Sequence, residues 1–364
     1  MTVLIFIVIL VGLIVAHELG HFFVAKLSGM RVDEFGIGYP PRLAGWRYGE
    51  TEYTLNALPF GGFVRIYGED ETATDSPRAF SARPRPLQAI TLVAGILMNL
   101  LVAYIIISGM LTAGAPRALT PEEALRAPDA ALVVASVLPG GPAETAGFAP
   151  GDKLLRIEGP SGIGYFNGAA GFSEAVANPV EDDGPRHFIV ERNGVEHVIT
   201  ATPAAGVIAG DPDRRALGVS LATVGTLPVP WHEAPIEGAK LTWELTKQTA
   251  VGLVQFFGSV FTFSADLAQV SGPVGIAGVV GEAYDQGLTP LFTITALISI
   301  NLALINLLPI PALDGGRLLF VIIESVIRRP IPTVFVRGVN LAGFAFLILL
   351  MVVITASDVF KILS

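Results

Sequence analysis

Three ionisable residues sit inside an apolar run. His17, Glu18 and His21 lie in the second half of residues 2–25, whose other members are almost all hydrophobic. At about 1.5 Å per residue such a helix crosses a hydrocarbon layer of about 30 Å. A titratable group at that depth is costly unless it is paired or bound, so a cluster of them reads first as functional. The spacing says for what. His17 and His21 are i and i+4, so both imidazoles leave one helical face about one turn apart, where a single metal ion can take both. Glu18 is one step round the helix and reaches a water beside the ion without being a ligand. H-E-x-x-H is the arrangement of zinc hydrolases, in which two His hold the ion and the Glu takes a proton from the water that attacks a carbonyl. The plain alternative is an amphipathic surface helix with two histidines, but the apolar flanks 3–10 and 22–24 leave it no watery face.

Two imidazoles leave such a centre one protein ligand short of the usual three. Residues 288–308 form another apolar span, which runs into Pro309, Pro311 and then Asp314. The prolines stop the helix by removing donors and clashing with the preceding turn, which frees backbone and lets Asp314 point into the bundle. An aspartate among Leu308, Ile310, Leu313, Leu318 and Phe320 needs a partner, and Asp314 is the expected third ligand. Arginines at 31, 42, 47, 65, 78, 83 and 85 mark residues 28–86 as cytoplasmic, and Arg317, Arg328, Arg329 and Arg337 put residues 314–338 on the same side. Both halves of the centre are thus expected at one depth, nearer the cytoplasmic face. The chain has 0 cysteines, so ligands come from His and carboxylate, a set that favours zinc.

The elements that must carry these residues follow from composition and pattern. Mean hydropathy is +0.61, with 52% hydrophobic and 15% charged residues, against about 25% charged in an average soluble domain. A polytopic α-helical membrane protein with about four transmembrane helices fits, and a net charge of −9 speaks against nucleic acid. Without a basic n-region the first run is a retained anchor rather than a signal peptide. The expected order is a first transmembrane helix at 1–27, a cytoplasmic, membrane-dipping β-hairpin at 28–86 and a second transmembrane helix at 87–112. An extracytoplasmic α+β domain at 113–230 comes next, then an interfacial amphipathic helix and linker at 231–287. A third transmembrane helix at 288–313, a cytoplasmic loop at 314–338 and a fourth transmembrane helix at 339–357 complete the chain.

Within this order several residues stand out. The hairpin around Gly61, Gly62 and Phe63 is either an ordinary cytoplasmic hairpin or an edge strand that dips towards the metal and pairs with an extended substrate. In the second span Gly95 suits close helix packing, and Asn99 either supports the bundle or serves the site. Residues 133–137, 142–147 and 153–157 read as strand, short helix closed by Gly147 and strand. Residues 173–177 read as a helix, and 186–192 with 195–201 as a hairpin over Asn193-Gly194. His187, His197 and His232 lack metal spacing and read as ordinary polar residues. Residues 236–263 start polar and turn apolar, as an interfacial helix does, and 271–276 read as a turn rich in helix breakers.

His17-Glu18-Leu19-Gly20-His21, Asn306 through Asp314 and Gly315, Gly95 with Asn99, the Gly61-Gly62 hairpin and Gly272-Pro273-Val274-Gly275 together resemble the site-2 protease family of intramembrane zinc metalloproteases. The soluble segment around Pro139-Gly140-Gly141-Pro142 resembles a PDZ domain of the bacterial protease type. The resemblance implies one Zn2+ per chain held by His17, His21 and Asp314, with Glu18 as base and Asn306 aiding substrate or oxyanion binding. It implies cleavage of single-pass transmembrane substrates in the plasma (inner) membrane, and a PDZ groove that takes peptide C-termini. Gly61, Gly62, Phe63 and Asn99 are the candidate substrate-binding residues. Two other classes of protein compete with this expectation. A membrane-anchored PDZ receptor would be indifferent to Glu18→Gln, and an ion transporter would need more intramembrane charges than the spans carry.

Overall fold

The computed structural model describes all residues except 70–75, 160–161, 165, 167, 178–184, 193, 209, 212, 263–270 and 364. The chain forms two units, residues 1–110 with 231–364, and residues 111–230.

The first unit begins with α1 (Thr2–Leu27), which runs unbroken and buries Leu13, His17, Gly20, His21 and Ala25 on one face. Two long strands follow, β1 (Val32–Tyr48) and β2 (Thr51–Ile66). They do more than make a hairpin. Residues 42–48 pair back onto 51–56, while residues 34–37 face 52–55 on one side and 62–65 on the other. Residues 62–66 therefore lie at one edge of this small sheet. A single helical turn at Phe80–Ala82 leads into α2 (Arg85–Thr112). Ala25, Met30, Val32, Ile66, Phe80 and Leu92 pack into one cluster that ties α1, the strands and α2 together.

The second unit contains β3 (Arg117–Ala118), α3 (Pro121–Ala124), β4 (Ala131–Val137), α4 (Pro142–Ala146), β5 (Lys153–Gly159), β6 (Gly162–Gly164), α5 (Gly168–Ala177), β7 (Arg186–Arg192), β8 (Val195–Ala201) and β9 (Val219–Gly225). The sheet order is β3-β9-β4-β5-β7-β8, with β6 on β5. The expected strands and the Gly147-closed helix are present, Gly147 taking φ 90°. The helix expected at 173–177 starts earlier, at Gly168. Asn193 of the expected turn lies outside the described residues. Nothing in the sequence reading anticipated β9, which pairs with β4 from Ala131↔Val224 to Val137↔Val219. Its core holds Val134, Phe188, Val190 and Leu217 fully buried.

The chain then returns to the first unit as α6 (Ala234–Phe261), α7 (Pro273–Gln286), α8 (Leu288–Leu307), α9 (Asp314–Ile327) and α10 (Thr333–Leu363). Among the described residues four helices are long and apolar enough to cross a membrane: Thr2–Leu27, Arg85–Thr112, Leu288–Leu307 and Thr333–Phe360. Two expectations need correction. Residues 271–276 are not a turn but open α7, with Gly272 as N-cap and Pro273 in the first turn, where its missing N–H costs nothing. The Asp358 carboxylate in α10 accepts from the Gly275 N–H at 2.8 Å and so completes that cap from another helix. Residues 314–338 are not a loop, since α9 takes up 314–327 and α10 begins at Thr333.

Candidate metal centre

The centre is assembled by α1, α2 and the start of α9. His17 and His21 share the buried face of α1, with their Nε2 atoms 3.1 Å apart. The break at 308–313 follows α8, and Asp314 is the first residue of α9. Its Oδ2 lies 2.8 Å from His17 Nε2 and 3.2 Å from His21 Nε2. Among the described residues these three form the group of His, Cys, Asp and Glu able to hold one ion, all ligand atoms lying within 4.8 Å of one another.

The donor set fits a cation. His21 Nδ1 sits 2.8 Å from the Thr91 carbonyl, an acceptor only, so Nδ1 carries a proton, and when the ring is neutral its Nε2 lone pair is the one that faces the centre. That lone pair faces a carboxylate oxygen and a second imidazole Nε2. With both rings neutral, three acceptors converge on one buried point, an arrangement relieved by a shared proton or a bound cation, and two imidazoles with one carboxylate are a donor set that suits zinc. His17 is oriented from behind as well. Asn99 is fully buried in α2, with Nδ2 3.4 Å from His17 Nδ1 and Oδ1 unpartnered. A half-turn of the amide makes Oδ1 the acceptor for an Nδ1–H and leaves His17 Nε2 free as a ligand. Ser299 Oγ on α8 donates to the Asn99 carbonyl at 2.8 Å and holds this part of α2.

Glycine makes the room. A Cβ on Gly20 would meet the Ala94 carbonyl, so the α1 and α2 backbones touch there. A Cβ on Gly95 would run into His21 Nε2 and come within 2.7 Å of His17 Nε2. Gly95 was expected to serve packing, and it also keeps space open over the donor atoms. Gly315 and Gly316 lie against the carbonyls of Leu307, Leu308 and Ile310, which lets α9 start tightly against the break.

Glu18 is half-buried, and a Cβ added to Gly62 would lie 3.5 Å from its Cγ. The edge segment of β2 therefore runs beside the carboxylate, with Gly61 against Ile14 and Phe63 stacked on Tyr39 at 6.1 Å. The Asn99 side chain lies against His17, with Nδ2 3.4 Å from Nδ1. Asn306 is half-buried near the end of α8, and no side-chain hydrogen bond is found for it among the described residues. The sequence reading missed Thr91, because a backbone carbonyl leaves no mark in the residue code.

A bundle of membrane-length helices with a buried His-His-carboxylate centre and an adjacent Glu defines a membrane metallohydrolase. The profile of Peptidase family M50 matches residues 5–350, and the chain belongs to that family, which is the site-2 protease family. It is 36% identical over 352 residues to a candidate zinc metalloprotease of Clostridium perfringens, covering 96% of this chain and 95% of that one. A candidate zinc metalloprotease of Synechocystis sp. is 32% identical over 357 residues, covering 96% and 92%. The zinc metalloprotease RasP of Geobacillus kaustophilus is 29% identical over 446 aligned residues, covering 98% and 97%.

Proposed function

We propose that this chain is an intramembrane zinc metalloprotease that cuts peptide bonds within the transmembrane segments of single-pass membrane proteins, with His17, His21 and Asp314 as zinc ligands. The observation that carries this function is the convergence of two imidazole nitrogens and one carboxylate oxygen on a single buried point. Zinc bound there supplies a Lewis acid for the carbonyl and a lowered pKa for water. Glu18 is the general base: it takes the proton of the attacking water and returns it to the leaving amine. Thr91 and Asn99 hold the two rings in the tautomers that ligation needs.

A substrate helix hides its amides in i to i−4 hydrogen bonds, so it must unwind before hydrolysis. The edge of β2 at 62–66, beside Glu18, supports the role of an acceptor strand for the unwound segment, with Gly61, Gly62 and Phe63 lining it. Asn306 is assigned to the substrate carbonyl. In the second unit the sheet and α5 support a PDZ-type domain that takes peptide C-termini. β9 is paired with β3 only at Val224 and Gly225, so residues 219–222 keep a bare edge for strand addition among the described residues. The arginine-rich segments support an active site nearer the cytoplasmic face, with the second unit extracytoplasmic.

The test is purified full-length protein with a single-pass substrate and metal counted by mass spectrometry. Glu18→Gln is expected to keep zinc and lose cleavage by about 10²-fold or more. Asp314→Ala is expected to lose both. Wild-type cleavage by Glu18→Gln would remove Glu18 as the base, and absence of cleavage by the zinc-loaded wild-type protein would leave a receptor rather than an enzyme.

A further inference from the structure

Asp314 can ligate only if α9 is held in one rotation and at one height, since coordination tolerates about 0.2 Å of error. On the side facing the start of α2, Val321 joins the apolar cluster of Phe80 and Leu92, but the packing beyond it is incomplete. A cavity of about 630 Å³ opens there, bordered by Phe80, Leu92, Val321 and Arg337 among others. Two ion pairs span the border of this cavity. Arg317, one helical turn beyond Asp314, places Nη1 2.6 Å from Glu69 Oε1. Glu324, nearly two turns further, accepts from Arg85 at the first position of α2 at 2.7 Å. Both carboxylates are mostly enclosed, Glu69 at 12% and Glu324 at 15% side-chain exposure. Glu324 also accepts from the Ile331 N–H at 2.9 Å, which fastens the turn into α10.

Glu69 is not an arbitrary anchor. It lies three residues beyond the end of β2, with its own N–H bonded to the Ile66 carbonyl at 3.2 Å. The strand whose edge passes Glu18 and the helix that begins with Asp314 are thus joined by a charge-assisted hydrogen bond. We propose that Arg317 and Glu69 are positioning residues, a clamp that sets the Asp314 carboxylate against the imidazole pair and holds it in register with the β2 edge. The proposal rests on the metal-centre assignment above and adds residues that touch neither ion nor substrate.

Competition between the intact protein and a chromophoric zinc chelator tests it. Arg317→Met and Glu69→Met are each expected to weaken zinc binding by about 10–100-fold, the cost typical of losing an outer partner of a metal ligand. The double variant should be no weaker than the worse single one, because both changes remove the same contact. Arg317→Lys, which keeps the charge, should regain most of the affinity. A purely structural role would instead lower the thermal unfolding midpoint and leave zinc affinity alone. Wild-type affinity in Arg317→Met, or losses that multiply in the double variant, would overturn the clamp. If Arg317→Met fails to fold, Glu69→Met, outside the helix, decides by the same readout. If instead His17→Ala binds zinc as tightly as wild type, the metal centre itself is misassigned, and the clamp is not what failed.

Discussion

At the residue scale the chemistry turns on where lone pairs point. His21 is fixed by a main-chain carbonyl and His17 by an amide, so two different devices on α2 serve two rings on α1. Gly95 lies between those devices, and its missing side chain is the space over the donors. Gly95→Ala is therefore expected to lower zinc content by about 10-fold or more, measured by mass spectrometry on purified protein. Gly109→Ala is the matching control, on the same helix with nothing within 4 Å of the added carbon, and it should bind zinc normally. Asn99→Leu keeps the volume but deletes the acceptor for Nδ1–H. It is expected to weaken zinc by a similar factor, while Asn99→Asp should retain most binding.

At the scale of elements the hairpin and the broken helix matter most. Val64 pairs with Phe35 on its inner side and lies on the edge beside α1. Proline there deletes a main-chain donor. Val64→Pro and Leu58→Pro are expected to slow cleavage about 10-fold while zinc content stays at wild-type level; equal rates would remove strand pairing from the proposal. The sequence revealed these elements unevenly. His17, His21 and Asp314 were legible because their chemistry is local: a spacing of four and a proline-marked break each speak without knowledge of the rest. The two-sided pairing of residues 34–37 was not, because which strands meet is settled by contacts far apart in the chain. Helix α9 was hidden by Gly315 and Gly316, which look like breakers until the carbonyls of Leu307 and Ile310 are seen pressed against them. Strand β9 was hidden for the same reason as the hairpin register, since its partner β4 lies more than 80 residues earlier.

At the scale of the whole molecule, the second unit has a charge pair inside its own fold. Burial pushes the Asp152 carboxyl up, but two hydrogen bonds from Arg192 at 2.6 and 2.7 Å and one from the Ala149 N–H bring it below the usual carboxylate range. A carboxyl depressed on folding stabilises fully above its unfolded pKa of about 3.9, and that contribution is lost as pH falls through the lower folded value. Hydrogen exchange at β5 and β7 should therefore quicken as pH is taken below about 4, after correction for intrinsic rates. Arg192→Met should quicken it at neutral pH, by an opening cost of about 2 kcal/mol. That is less than a fully enclosed pair would lose, because Arg192 is 35% exposed. Zinc content should be unchanged in the same variant, since the three proposed ligands belong to the other unit.

The 297 positions between His17 and Asp314 also set a clock. A ribosome adding about 5–20 residues per second needs roughly 15–60 s to travel from one to the other. Throughout that interval the emerging chain owns two imidazoles and a base but no carboxylate to complete the grip. On the reading proposed above, the metal centre therefore stays incomplete until residue 314 has been added and α9 has folded against the imidazole pair.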